Sequence, residues 1–195
     1  MNKRTVKTAI IGVVLLAMIV GYYFYLSGKN NKTAGDEIME TSQTEDVLAR
    51  DLEKSYPATP KEVMRFYNQI QECYYNEDND KATIKSLMLK SRELFDEELL
   101  EENDPEEEFD NLMKEVEEFQ EKDREIFDWS TDSADDVVYN TLDGREWASI
   151  HSYYTLRTKG TYSKTTQVFL MRKSEDGKWK IYGWDLDNTK TKESE

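Results

Sequence analysis

The chain has 195 residues, with 41 acidic against 26 basic side chains and a net charge of −15. Charge of that sign repels nucleic acid and anionic lipid alike, so nucleic-acid binding is excluded as a function. The single cysteine, Cys73, allows neither an intramolecular disulfide nor a cysteine zinc cluster.

Residues 1–7 form a basic flank with Lys3, Arg4 and Lys7, ahead of an uncharged run from Thr8 to Leu26, TAIIGVVLLAMIVGYYFYL. Coiled as a helix this run spans roughly 28 Å, the thickness of a bilayer's hydrocarbon core, where a helix satisfies its own backbone groups. The run exceeds a usual signal-peptide core. It ends in Tyr22, Tyr23, Phe24 and Tyr25 where a peptidase wants small residues, and Lys29 stands where a lipoprotein box needs its cysteine. We therefore read residues 8–26 as an uncleaved transmembrane helix in the cell membrane. The lysine and arginine bias places the N-terminus in the cytoplasm and the rest of the chain outside.

Residues 27–57 read as a polar stalk, in which Ser42 and Glu45 offer a capping box for a short helix carrying Val47, Leu48 and Leu52. Thr59-Pro60-Lys61-Glu62 is a stronger helix start, with threonine as cap, proline in the first turn and glutamate able to bond back. Behind it Val63, Phe66, Tyr67, Ile70, Cys73 and Tyr74 recur at helical steps. Cys73 thus falls on an apolar face and reads as a buried thiol. A second helix carries Ile84, Leu87, Met88, Leu94 and Phe95, with a break near Ser91. A third opens at Asp104-Pro105 and carries Phe109, Leu112, Met113, Val116 and Phe119. Between Ser91 and Asp128 stand eighteen acids and four bases. They read as a solvated face, or, as a weaker alternative, as an acidic cation sensor near residues 101–108.

Beyond about Ile126 the period becomes strand-like. Turns at Asp143-Gly144, Lys159-Gly160 and Glu175-Asp176-Gly177 delimit four strands at about 137–142, 145–157, 161–173 and 178–185. Three or so helices followed by a curved antiparallel meander give an α+β domain over residues 58–187, and residues 188–195 read as a disordered tail.

Helices followed by long strands closing on Glu175-Asp176-Gly177-Lys178-Trp179-Lys180-Ile181 resemble the nuclear transport factor 2-like superfamily of cone-shaped domains. The anchor, the stalk, the entry Tyr56 to Pro60 and the Gly183-Trp184 ending resemble a group of uncharacterised single-pass membrane proteins of Gram-positive anaerobes. The superfamily hosts enzymes and non-enzymatic modules, so this likeness implies a fold and no activity.

The residues name no reaction. There is no phosphate loop, nucleophile elbow or His-Glu-x-x-His, and Asp78 and Asp80 begin an EF-hand frame that lacks its glycine and its glutamate. No catalytic residue, cofactor or metal ligand is assigned. The residues placed at a pocket or interface are Tyr67, Tyr74 and Tyr154, pointing inward, and Trp147, His151, Trp179 and Trp184. Alternation in 145–157 sets Ala148, Ile150, Ser152, Tyr154 and Leu156 toward the helices and His151 on the opposite, exposed face. Eight bases against three acids between Arg145 and Ile181 give the sheet a charge opposite to that of the helices. The function expected is non-enzymatic binding of a protein partner, or self-association, at the cell surface. The alternative is a cone pocket that binds or transforms a small apolar ligand.

Overall fold

A computed structural model describes residues 42–187. The expected transmembrane helix at 8–26, the first part of the stalk and the tail at 188–195 lie outside the described residues. Among the described residues no helix is long and apolar enough to cross a membrane.

Five helices precede and pack on a five-stranded sheet: α1 (Gln43–Ala49), α2 (Pro60–Asn76), α3 (Lys81–Arg92), α4 (Glu97–Glu102) and α5 (Pro105–Glu121), then β1 (Arg124–Thr131), β2 (Val138–Leu142), β3 (Arg145–Thr158), β4 (Thr161–Lys173) and β5 (Trp179–Leu186). The α+β architecture expected from the sequence is present, with more helices and one more strand. Both anticipated capping boxes form. Ser42 accepts from the Glu45 amide and Thr59 from the Glu62 amide, and each glutamate returns a bond to its cap. Asp104 likewise caps α5 ahead of Pro105. The break near Ser91 resolves into a helix end at Arg92. Leu94 and Asp96 then bond the backbone of Ile181, so this segment runs along the open side of β5 before α4 begins.

The strands are antiparallel in the order β1-β3-β4-β5, with β2 also on β3. β1 pairs with the second half of β3 and β2 with the first half, so the two lie end to end along one edge, separated by the excursion Asp132–Val137. Positive φ at Asp143 and Gly144, and at Lys159 and Gly160, closes the two tight hairpins, a geometry that glycine accepts at little cost. β1 is the strand that the sequence pattern missed. A bulge between Ile126 and Asp128 inserts Phe127 and breaks the alternation that would have revealed it.

The core lies between α2 and one face of the sheet. Val63, Met64, Phe66 and Ile70 are fully buried against Ile150, Phe169, Met171 and Ile181, each worth about 1.5–3 kcal/mol relative to exposure. One polar device sits within it. Asn68 donates to Ser152 Oγ at 3.1 Å and accepts from the Tyr154 hydroxyl at 2.6 Å, fixing the helix against β3. At the far end the Tyr56 hydroxyl donates to the Trp179 carbonyl at 2.8 Å, joining the entry segment to the last strand.

Candidate binding cleft

Where α2 and α3 diverge from α4 and α5, the packed core gives way to an open cleft of about 320 Å³. Its floor is aromatic: Tyr67, Tyr74, Tyr75, Phe95 and Trp184. Three of these come from one stripe of α2, Phe95 from the segment pinned to β5, and Trp184 from the end of β5. Trp184 stacks on Phe169 at 5.8 Å and leans on Tyr67 and Phe95, yet stays 43% exposed, so it presents one ring face to the opening.

The rim is made of carboxylates. Glu102 ends α4, Asp104 caps α5, and Glu107, Glu108 and Glu115 follow on α5, whereas among the described residues no lysine or arginine lines the space. Glu108 is engaged by Arg92, and Glu115 accepts from the Tyr75 hydroxyl at 3.0 Å. Burial holds the Tyr67, Tyr74 and Tyr75 hydroxyls well above their ordinary pKa, and Glu115 adds to that effect at Tyr75. The rings are therefore neutral hydrogen-bonding walls at physiological pH, not bases. A second cleft of about 330 Å³ shares Gln71, Tyr75 and Glu115 with the first and continues over Tyr154 and Gln167 on the core-facing side of the sheet.

Of the seven residues singled out in the sequence, Tyr67, Tyr74 and Trp184 meet in the first cleft and Tyr154 borders the second. The other three lie elsewhere. Trp179 is buried at the start of β5 on the core-facing side of the sheet, with Tyr139 edge-on to its ring at 5.7 Å. Trp147 lies on the outer face against Tyr182 and beneath Arg172, its indole N–H buried without an acceptor among the described residues.

His151 does stand on the outer face, but it is not the exposed residue that alternation suggested, its side chain being only 19% exposed. Its Nδ1 lies 2.7 Å from Asp132 and its Nε2 lies 3.5 Å from Asp187. Asp132 also accepts from the His151 amide at 2.8 Å and from the Tyr153 hydroxyl at 2.7 Å. Burial opposes the charge on Asp132, yet those three donors outweigh it and hold the carboxyl below its ordinary pKa. The cluster works as a clasp, tying the excursion after β1 and the end of β5 to the middle of the sheet. Sequence carried no sign of it, because Asp132 and Asp187 fall outside regular strands and far from His151 in the chain.

Cys73 is fully buried, and burial pushes its thiol up to about 11, as its place on the apolar stripe suggested. Half of the sheet's eight bases are engaged in ion pairs within the domain. Arg157 pairs with Glu125, Arg172 with Asp96 and Glu98, Lys173 with Glu146 and Lys178 with Asp176. Among the described residues no three His, Cys, Asp or Glu side chains converge as metal ligands would.

Residues 1–184 match a family model described as Domain of unknown function (DUF6715), so the match takes in the apolar N-terminal run as well as nearly all of the folded unit. A search of curated proteins returned no match.

Proposed function

The chain belongs to the family described as Domain of unknown function (DUF6715), and for it we propose a non-enzymatic, membrane-tethered domain that binds a basic segment of a protein partner in the cleft between α2–α5 and the end of β5. Residues 8–26 hold it in the bilayer, with the N-terminus in the cytoplasm and the domain outside, and the nuclear transport factor 2-like cone is the scaffold.

The observation that carries this reading is the combination of an aromatic floor with a carboxylate rim on which, among the described residues, Arg92 engages Glu108 and no basic residue lines the cleft itself. A lysine or arginine side chain reaching the floor gains about 0.5–2 kcal/mol from the ring faces, and each exposed carboxylate adds about 0.2–1 kcal/mol. A lone ammonium thus approaches only the roughly 4 kcal/mol that corresponds to millimolar affinity. Useful binding requires several basic residues held together, which is why a peptide segment fits better than a free amine. A small apolar ligand fits less well, because it would strip water from the rim without compensating the charges there.

The test is fluorescence anisotropy of labelled pentalysine against the full chain in detergent. Binding should weaken as salt shortens the Debye length below about 10 Å. It should fall several-fold in the Glu102→Gln/Glu107→Gln double variant and stay unchanged in Asp135→Asn, a loop acid that does not line the cleft. Equal weakening in both, or no binding to the parent chain, would sink the proposal.

A further inference from the structure

We propose that β2 is a homotypic docking edge, through which two copies of this chain pair antiparallel over Val138–Leu142 about a two-fold axis at Asn140.

The other free edges of the sheet are guarded. On β1, the Asn76 side chain donates to the Ile126 carbonyl and accepts from the Ile126 amide, both at 2.8 Å, standing in for a neighbouring strand. A bulge and the charges of Arg124, Glu125 and Asp128 protect the rest. On β5 the backbone of Leu94 and Asp96 covers Ile181, and Asp185 follows beyond. Among the described residues β2 has no such cover apart from the Asn140 side chain, which accepts from the Thr141 amide of the same strand at 2.8 Å. Its five residues, Val-Tyr-Asn-Thr-Leu, are all exposed and contain no charge, proline or bulge, with Val138 64% and Leu142 58% exposed. An uncharged open edge in so acidic a chain departs from the usual protection against edge pairing.

The sequence of the edge is self-complementary. The Asp143-Gly144 turn makes Leu142 and Arg145 opposite partners, so by alternation Tyr139 and Thr141 turn their N–H and C=O groups away from β3. The Thr141 amide donates to the Asn140 side chain at 2.8 Å, a local bond that pairing would exchange for one to the second copy. Antiparallel pairing centred on Asn140 sets Tyr139 opposite the second copy's Thr141, which satisfies the outward groups of both strands reciprocally. It also sets Val138 opposite the second copy's Leu142 twice on one face, the kind of apolar cross-strand pair that stabilises a sheet. No charge meets a like charge within the strand. Repulsion between two chains of −15 acts only from outside it and is screened by salt.

The inference stands apart from the cleft, and salt separates the two, because pairing through β2 strengthens as salt rises whereas binding of a basic segment weakens. The test is oxidative crosslinking of the full chain in detergent, where buried Cys73 supplies little background. In Asn140→Cys the two introduced thiols face each other across the axis, at a Cα separation of about 4.5 Å that suits a disulfide. In Val138→Cys they are offset along the strands. Disulfide dimers should form at least ~10-fold faster in the first, and faster at higher salt. Adding Thr141→Pro to Asn140→Cys should abolish them, since it removes an outward amide without touching the bond to β3. Circular dichroism of this variant checks that it keeps the parent chain's fold. Equal rates at positions 138 and 140, persistence with proline present, or no dimer at all would each overturn the proposal.

Discussion

Replacing Arg172 by leucine is the most informative perturbation of this fold, because it isolates how the outer sheet face holds α4 and, through α4, one wall of the cleft. Asp96 is 4% exposed and Arg172 8%. The guanidinium makes a bidentate pair with Asp96, including Nε to Oδ2 at 2.9 Å, and reaches Glu98 at 2.6 Å. It also lies over the rings of Tyr182 at 4.9 Å and Trp147 at 5.5 Å. Removing one member of such a pair strands the other as a buried charge, at about 3–5 kcal/mol. Glu98 is half exposed and adds at most about 1 kcal/mol, and the two ring contacts add about 0.5–1 kcal/mol each. A loss of at least about 4 kcal/mol is therefore expected, a large part of a typical domain's 5–15 kcal/mol. Adding Asp96→Asn should recover about half of it. The neutral amide no longer needs a countercharge and still caps α4, where Asp96 Oδ1 now accepts from the Glu98 amide at 3.1 Å. Equilibrium urea unfolding of the full chain in detergent, followed by near-ultraviolet circular dichroism, measures both. Affinity for pentalysine should fall in the single variant and partly return in the double, since Leu99 and Glu102 of α4 line the cleft. If the double variant is no more stable than the single one, Asp96 is not the buried charge that this reasoning takes it to be.

Two other outcomes follow from the same geometry. Asn76→Ala leaves the Ile126 amide and carbonyl without the side chain that pairs them, so stability should drop by about 1–3 kcal/mol, and hydrogen exchange at Ile126 should accelerate before that of the β3–β4 ladder. Asp132 has its folded pKa depressed, so its stabilising contribution is present above the unfolded aspartate value of about 3.9 and is lost as pH falls through the lower folded value. Asp132→Asn should therefore destabilise the chain at neutral pH by about 1–3 kcal/mol and flatten the acid limb of a stability-against-pH curve. An acid limb identical to that of the parent chain would show that the clasp does not titrate with folding.

Much of the local architecture is set by short stretches of chain. Thr59-Pro60-Lys61-Glu62 and Asp104-Pro105 start helices because the cap, the proline and the first-turn acid are all within a few residues of one another. Asp143-Gly144 and Lys159-Gly160 close hairpins because the backbone there needs positive φ. Alternation along β3 separated Ile150 and Tyr154 from His151 by pleat alone. Tertiary structure decided what has no local signature. The bulge at Phe127 hid β1, and the meeting of Tyr67, Phe95 and Trp184 draws on three segments far apart in the chain. His151 became a clasped residue only when Asp132 and Asp187 arrived from other turns of the chain. The physical division is one of range. Caps, turns and periodicity are satisfied by neighbours a few residues away, whereas a cleft, a buried ion pair and an unguarded edge exist only once distant segments have been brought together.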